Sequence, residues 1–148
     1  MAGLETVTYT PLAEQHLAAC AAIAATAPDP WSETSFVAEL QANRPAWVAL
    51  AGSEVVAFAC FAPEGETAVL SLVAVHPAHR GQHMANSLLR HCFLQLKQQE
   101  FSRCVLEVRC SNNAALALYN HLGFEQLAHR RGLYKNPAED GLTLGKKL

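Results

Sequence analysis

The chain has no Cys-x-x-Cys pair, no apolar run of the roughly 18 residues that a membrane span needs, and no surplus of positive charge. Each absence removes a class of function. The five cysteines, Cys20, Cys60, Cys92, Cys104 and Cys110, are odd in number and without paired short spacing, which speaks against a zinc or thioredoxin-like centre. They read instead as small buried hydrophobes in a reducing cytosol. Seven histidines are scattered without ligand spacing, so no metal site is expected. With 16% charged residues and a net charge of -2, nothing attracts nucleic acid broadly, and only a local basic patch stays open. The opening MAGLETVTYT lacks the basic start and apolar core of a signal peptide. A soluble cytoplasmic protein, with no direct nucleic-acid or membrane partner, is expected.

What is present is a well-mixed chain of 148 residues, 51% hydrophobic, without repeats, low-complexity tracts or linkers. A chain of this size buries about 68–70% of its unfolded surface, enough for one self-sufficient domain spanning residues 1–148. Residues 5–10 alternate as a first strand, and Thr10 before Pro11 reads as an N-cap followed by proline at the first helical position, opening a helix to about residue 26. Ser32 is placed to cap a second helix through about Asn43, with Trp31 and Phe36 at the two staple positions. Apolar runs at 46–51, 55–62 and 68–75, parted by Gly52-Ser53 and Pro63-Glu64-Gly65, imply three strands in an antiparallel meander. Met84, Leu88, Leu89, Cys92 and Leu96 fall at helical spacing within 81–100. A strand at 104–110, a helix at 113–122 closed by Gly123, and apolar stretches at 124–128 and 141–148 follow. The order is βααβββαβαββ, an α/β (α+β) chain with one mixed, mostly antiparallel sheet flanked by helices.

The most informative stretch is LEVRCSNNAALALYNHLGF, residues 106–124. It puts a carboxylate (Glu107), an amide (Asn112) and a phenol (Tyr119) on one strand–turn–helix unit, a set suited to proton transfer beside a ligand. Strand alternation places Val105, Glu107 and Arg109 on one side and Leu106, Val108 and Cys110 on the other. Each residue also has a plain structural reading. Glu107 can pair with Arg103 or Arg109 or stand solvated, Asn112 can serve as a helix cap, and Tyr119 can be a core aromatic.

Together with AVHPAHRGQHMA entering the long helix, PWSETSF at 30–36 and RRGLY at 130–134, this string resembles the GNAT superfamily of acetyl-CoA-dependent N-acetyltransferases. Within it the chain is most similar to the RimI group, which acetylates protein N-terminal amines and whose namesake modifies the N-terminal alanine of a small-subunit ribosomal protein. The resemblance implies acetyl-CoA as cosubstrate and no metal. It implies that Val73, Ala74 and Val75 pair their backbone with the pantetheine arm. It further implies that Arg80, Gly81, Gln82, His83, Met84, Ala85 and Asn86 form the pyrophosphate loop, where a helix N-terminus offers free N–H groups and a positive dipole end. His83 stands where the family has glycine. At a helix start a right-handed conformation is expected there, which leaves only a steric penalty, whereas a positive φ costs about 1–2 kcal/mol.

By the same resemblance Glu107 is the proton acceptor, Tyr119 the donor to the departing thiolate, and Asn112 a hydrogen bond to the cofactor, while Trp31, Arg131 and Tyr134 match the acceptor groove. The amine class sets how strong the base must be. An α-amine is about 10–20% neutral at pH 7 and a lysine about 0.04%, a difference of about 3.4 kcal/mol. One carboxylate, acting directly or through a water, is enough for the first. The competing readings are a GNAT enzyme for a lysine side chain or small-molecule amine, and a non-catalytic acyl-CoA-binding module.

Overall fold

In the computed structural model, which describes residues 6–27, 31–81 and 83–148, the strands are β1 (Val7–Pro11), β2 (Ala46–Ala51), β3 (Glu54–Glu64), β4 (Thr67–Val75), β5 (Arg103–Arg109), β6 (Glu125–Lys135) and β7 (Ala138–Lys147). The helices are α1 (Leu17–Ala24), α2 (Glu33–Gln41), α3 (Met84–Gln98) and α4 (Asn113–His121), with short 3-10 turns at Glu14–His16 and Pro77–His79. This is the expected order. The hydrogen-bonded strand order is β1-β2-β3-β4-β5-β7-β6. The β1/β2, β2/β3, β5/β7 and β6/β7 ladders are antiparallel and β4/β5 is parallel, so the sheet is mixed and mostly antiparallel as read from the sequence. Two compact units divide the chain, the first taking in the described residues to Ala62 with Ser71–Cys92, the second Pro63–Leu70 with Phe93–Leu148.

The first helix begins later than its sequence signals imply. Thr10 and Pro11 belong to β1, opposite Val48 and Trp47. β1 ends the strand order, so a proline there removes no ladder bond that a further strand would need. Helix entry passes to the 3-10 turn, where His16 Nδ1 accepts from the Ala13 N–H at 3.0 Å. The second helix starts as expected, with Ser32 capping through its side chain, but stops at Gln41, and Asn43 beyond it has φ +54°. Trp31 and Phe36 form the staple, ring centroids 5.3 Å apart.

In the first unit β3 is buried without alternation from Val55 to Phe61, as a strand covered on both faces must be. Cys20 and Ile23 of α1 and Phe36 of α2 pack on Val48, Phe58 and Cys60, with Phe36 edge-on to Phe58 at 5.0 Å. On the other face Tyr9 of β1 stacks on His91 of α3 at 5.0 Å. The second unit closes on Phe93, Tyr119 and Phe124 beside the inward side chains of β5, Cys104, Leu106 and Val108.

Four of the five cysteines are buried and Cys110 is half-buried. Burial pushes Cys20 and Cys104 up to about 12 and Cys60 well above its ordinary value. A thiol reagent at pH 8 is expected to label Cys110 first and the other four only on unfolding, read by mass spectrometry. Unfolded thiols titrate near 8.5, so the stability these groups lend is complete below that pH and lost as pH rises toward 12, by up to about 1.4 kcal/mol per thiol per pH unit. Denaturant melts at pH 7 and pH 10.5 measure that fall. Phe36→Ala is expected to lower stability by about 3–5 kcal/mol in the same assay.

Candidate active site

β5 alternates as a half-buried strand, so Cys104, Leu106 and Val108 turn inward while Val105, Glu107 and Arg109 share the other face, the expected division. Opposite those three on β7 stand Gly145, Thr143 and Gly141, and opposite these on β6 stand Glu125, Ala128 and Arg130. Two glycines therefore flank one threonine. A Cβ on Gly145 would come 2.6 Å from Leu127 Cδ1, and one on Gly141 would come 2.7 Å from Leu133 Cδ2 and 2.8 Å from Tyr134 Cε2. Side chains of β6 thus lie across β7 at both gaps.

Glu107 is paired with neither arginine of its own strand. Its Oε2 accepts from Arg130 Nη1 at 3.2 Å, with 44% of the glutamate and 52% of the arginine side chain exposed. Arg103 donates instead to Thr67 Oγ1 at 3.1 Å. Arg109 lies opposite Gly141, near the β6–β7 turn, and is used there. It donates to Pro137 O at 2.9 Å, Asn136 O at 3.3 Å and Glu139 Oε1 at 3.4 Å, and its guanidinium sits 4.3 Å from the Tyr134 ring centre.

The run His129-Arg130-Arg131 is only partly the solvated basic face that its composition allows. His129 Nε2 lies 2.8 Å from Asp140 Oδ2, and Asp140 Oδ1 accepts from the Gly132 N–H at 2.8 Å, where φ of +64° bends β6. The His129 hydrogen bond, then that of Gly132, holds Asp140 below the usual carboxylate range. Hydrogen bonds from Ser111, followed by Arg109, do the same for Glu139, whose Oε2 takes the Ser111 N–H at 2.6 Å. Glu139 thereby ties the turn after β5 to the β6–β7 hairpin. Arg131 remains exposed and Tyr134 is half-buried under Arg109.

Asn112 caps α4, its Oδ1 accepting from the Ala115 N–H at 3.1 Å, which leaves its Nδ2 as the donor. Tyr119 is buried edge-on against Phe124 at 5.5 Å. Burial above all, then the neighbouring Cys104 and Tyr134, pushes its phenol well above the ordinary tyrosine value. The ring therefore keeps its proton throughout the neutral range and can donate but not act as a base. One strand–turn–helix unit carries Glu107, Asn112 and Tyr119, yet each is tied to a different neighbour.

The first unit carries the loop after β4. Val73, Ala74 and Val75 are half-buried at the end of that strand, and His76 donates its N–H to Val56 O at 2.8 Å. Arg80 folds back, Nε to Val75 O at 3.1 Å and Nη2 to Thr26 Oγ1 at 2.8 Å. Gly81 has φ +79° and no atom within 4 Å of where a Cβ would sit. His83 has φ +57°, not the right-handed conformation expected of a helix start, because it lies one residue outside α3. Its carbonyl accepts the first helical bond, from Ser87 N at 3.1 Å, so the N–H groups of Met84, Ala85 and Asn86 have no partner along the helix. Gln82 lies outside the described residues. Asn86 Oδ1 accepts from Arg90 Nε at 2.8 Å. Trp31, packed on Phe36, belongs to this unit, and Arg131 and Tyr134 to the other.

The model of the Acetyltransferase (GNAT) family matches residues 14–124. The chain belongs to this family. It is 34% identical over 112 residues to the [Ribosomal protein bS18]-alanine N-acetyltransferase of Escherichia coli K12, covering 76% of this chain and 74% of that one. The N-alpha-acetyltransferase RimI of Mycobacterium tuberculosis is 32% identical over 124 residues, 78% of this chain and 75% of its own. The crystal structure of the ribosomal-protein-S18-alanine N-acetyltransferase from E. coli superposes with a TM-score of 0.87 at 30% identity, over 96% of this chain and 94% of that one. GNAT enzymes use acetyl-CoA. Among the described residues no helix is long and apolar enough to cross a membrane, and no group of three or more His, Cys, Asp or Glu side chains is placed to hold a metal.

Arg130 as the partner of Glu107, and the anchoring of the hairpin by Glu139 and Asp140, are long-range contacts that no local motif of this GNAT chain signals. Relief of the left-handed strain at residue 83, set against the extra chain entropy of glycine, is expected to make His83→Gly neutral to about 1 kcal/mol more stable in urea unfolding. A clear loss would show that the imidazole contributes more by contact than its conformation costs.

Proposed function

We propose that this GNAT domain, spanning residues 1–148, transfers the acetyl group of acetyl-CoA to the N-terminal α-amine of a cytoplasmic protein, an N-terminal alanine of a small-subunit ribosomal protein first of all. One observation carries the reading: the family match brings relatives named for alanine N-acetylation at 34% identity over three quarters of both chains. The chemistry of the residues agrees. The open space at Gly81, the backbone of Val73–Val75, and the amides of Met84, Ala85 and Asn86 just after His83 suit the pantetheine and pyrophosphate of acetyl-CoA, and the sequence resemblance adds Gln82 to that loop. Arg80 supports that loop from Val75 O, and Asn112 offers its Nδ2 to the cofactor. Trp31, Arg131 and Tyr134 are assigned to the acceptor peptide.

Glu107 takes a proton from the ammonium, and the neutral amine attacks the thioester carbonyl. The N–C bond forms and the C–S bond breaks. Tyr119, kept protonated by burial, gives its proton to the leaving thiolate and recovers one from the nitrogen. An α-amine needs little help from a base such as Glu107, whereas a lysine is about 3.4 kcal/mol harder to supply in neutral form at pH 7.

The test offers acetyl-CoA with three acceptors: a peptide beginning in alanine, the same peptide blocked at its N-terminus but carrying a lysine, and a small amine, with products located by mass spectrometry. Acetylation of the α-amine is expected, with Glu107→Gln lowering kcat by about 10²–10⁴-fold and leaving acetyl-CoA binding unchanged. Product only on the lysine or the small amine would move the enzyme to the other acceptor class. Thermal stabilisation by acetyl-CoA with no product on any amine would make it a binding module.

A further inference from the structure

Arg109 commits its whole guanidinium to one turn. Nη1 donates to Pro137 O at 2.9 Å and to Glu139 Oε1 at 3.4 Å, Nη2 donates to Asn136 O at 3.3 Å, and the flat face of the group lies 4.3 Å from the centre of the Tyr134 ring. The side chain is only 15% exposed. A planar fork of donors can serve several acceptors and an aromatic face at once, and an ammonium cannot. Closing the hairpin does not by itself require this, because β6 and β7 already pair from Glu125 with Gly145 to Lys135 with Ala138. That ladder is irregular between Arg130 and Tyr134, however, so backbone pairing alone does not fix where the Tyr134 ring points.

The ring is held from a second side. Its Cε2 lies 2.8 Å from the place of a Cβ on Gly141, and Gly141 faces Arg109 across the β5/β7 ladder. Facing residues share a face of the sheet, so Tyr134 lies on the face of β5 that carries Glu107, two residues from Arg109. Glu139, which takes Arg109 by one oxygen, takes the Ser111 N–H by the other at 2.6 Å. The hairpin turn is thereby set against the turn from which Asn112 caps α4.

We propose that Arg109 is a positioning residue for the acceptor: by stacking on Tyr134 and gripping the 136–139 turn, it holds the ring as a preformed wall for the peptide residues that follow the reacting amine. An acceptor reduced to its first residue does not reach that wall. The proposal rests on the reading of the chain as a protein N-terminal acetyltransferase and names what holds the rest of the peptide. A side chain ordered in advance lowers the cost of binding, so the effect falls on the KM of the peptide and not on kcat.

The parent protein, Arg109→Lys, Arg109→Met and Gly141→Ala are assayed with acetyl-CoA and two acceptors, an alanine-initiated hexapeptide and alaninamide, with melting temperatures as the check on folding. Both Arg109 variants are expected to raise the hexapeptide KM about five- to tenfold with kcat within about twofold, and to leave the acetyl-CoA KM and the kcat/KM for alaninamide within about twofold. Gly141→Ala displaces the ring from its other side without removing any donor of Arg109, and gives the same pattern. Should Arg109→Met fail to fold, Arg109→Lys and Gly141→Ala decide. A hexapeptide KM unchanged in the folded variants, or a loss shared equally by hexapeptide and alaninamide, overturns the proposal. A parent protein that acetylates no α-amine overturns the N-terminal reading and this inference together, a result distinct from an active parent whose peptide KM is indifferent to Arg109.

Discussion

Seven facing pairs join β5 to β7, from Arg103 with Lys147 to Arg109 with Gly141, and the second unit depends on that register. A slip by one residue would turn Glu107 into the core beside Phe93 and Phe124 and push Leu106 to the outside. Burying a lone carboxylate while exposing a leucine opposes such a slip twice over. With the register held, Leu106 meets Leu144 on the inner face and Glu107 meets Thr143 on the outer one. The same pairing that builds the core therefore decides what surrounds the carboxylate.

The hairpin after α4 is fastened by a different kind of force. Arg109 and Glu139, with side chains only 15% and 19% exposed, join the hairpin turn to the end of β5, and Asp140 locks the bend at Gly132. Glu107 and Arg130 are much more open, and an ion pair of that kind contributes about 0–1 kcal/mol. Its consequence is orientation. It holds one carboxylate oxygen and leaves 44% of the glutamate side chain exposed. Tyr119 is in the opposite condition, buried and kept neutral. A single strand–turn–helix unit thus carries one exposed carboxylate and one buried phenol, held by forces of opposite kind.

Much of this was legible because local rules carry it. The alternation of residues 103–109, the Ser32 and Asn112 caps and the Trp31–Phe36 staple each depend on residues a few positions apart. Where local rules competed, the sequence misled. Thr10-Pro11 has the form of a helix start, but pairing with β2 holds both residues in β1. His83 looked like the first residue of a helix and sits just before it, in the left-handed region that glycine would occupy more comfortably.

By itself, then, the sequence determined the order of the elements, the face of β5 on which Glu107 stands and the family to which the chain belongs, because periodicity, capping and motif are written in neighbouring residues. Only the tertiary structure decided the company Glu107 keeps. Arg130 is 23 residues away along the chain, and Thr143 further still, on a strand whose pairing nothing near Glu107 encodes. Such partners are chosen by strand register, which β5 and β7 settle together by burying the apolar set of their side chains in the core and keeping Glu107 out of it.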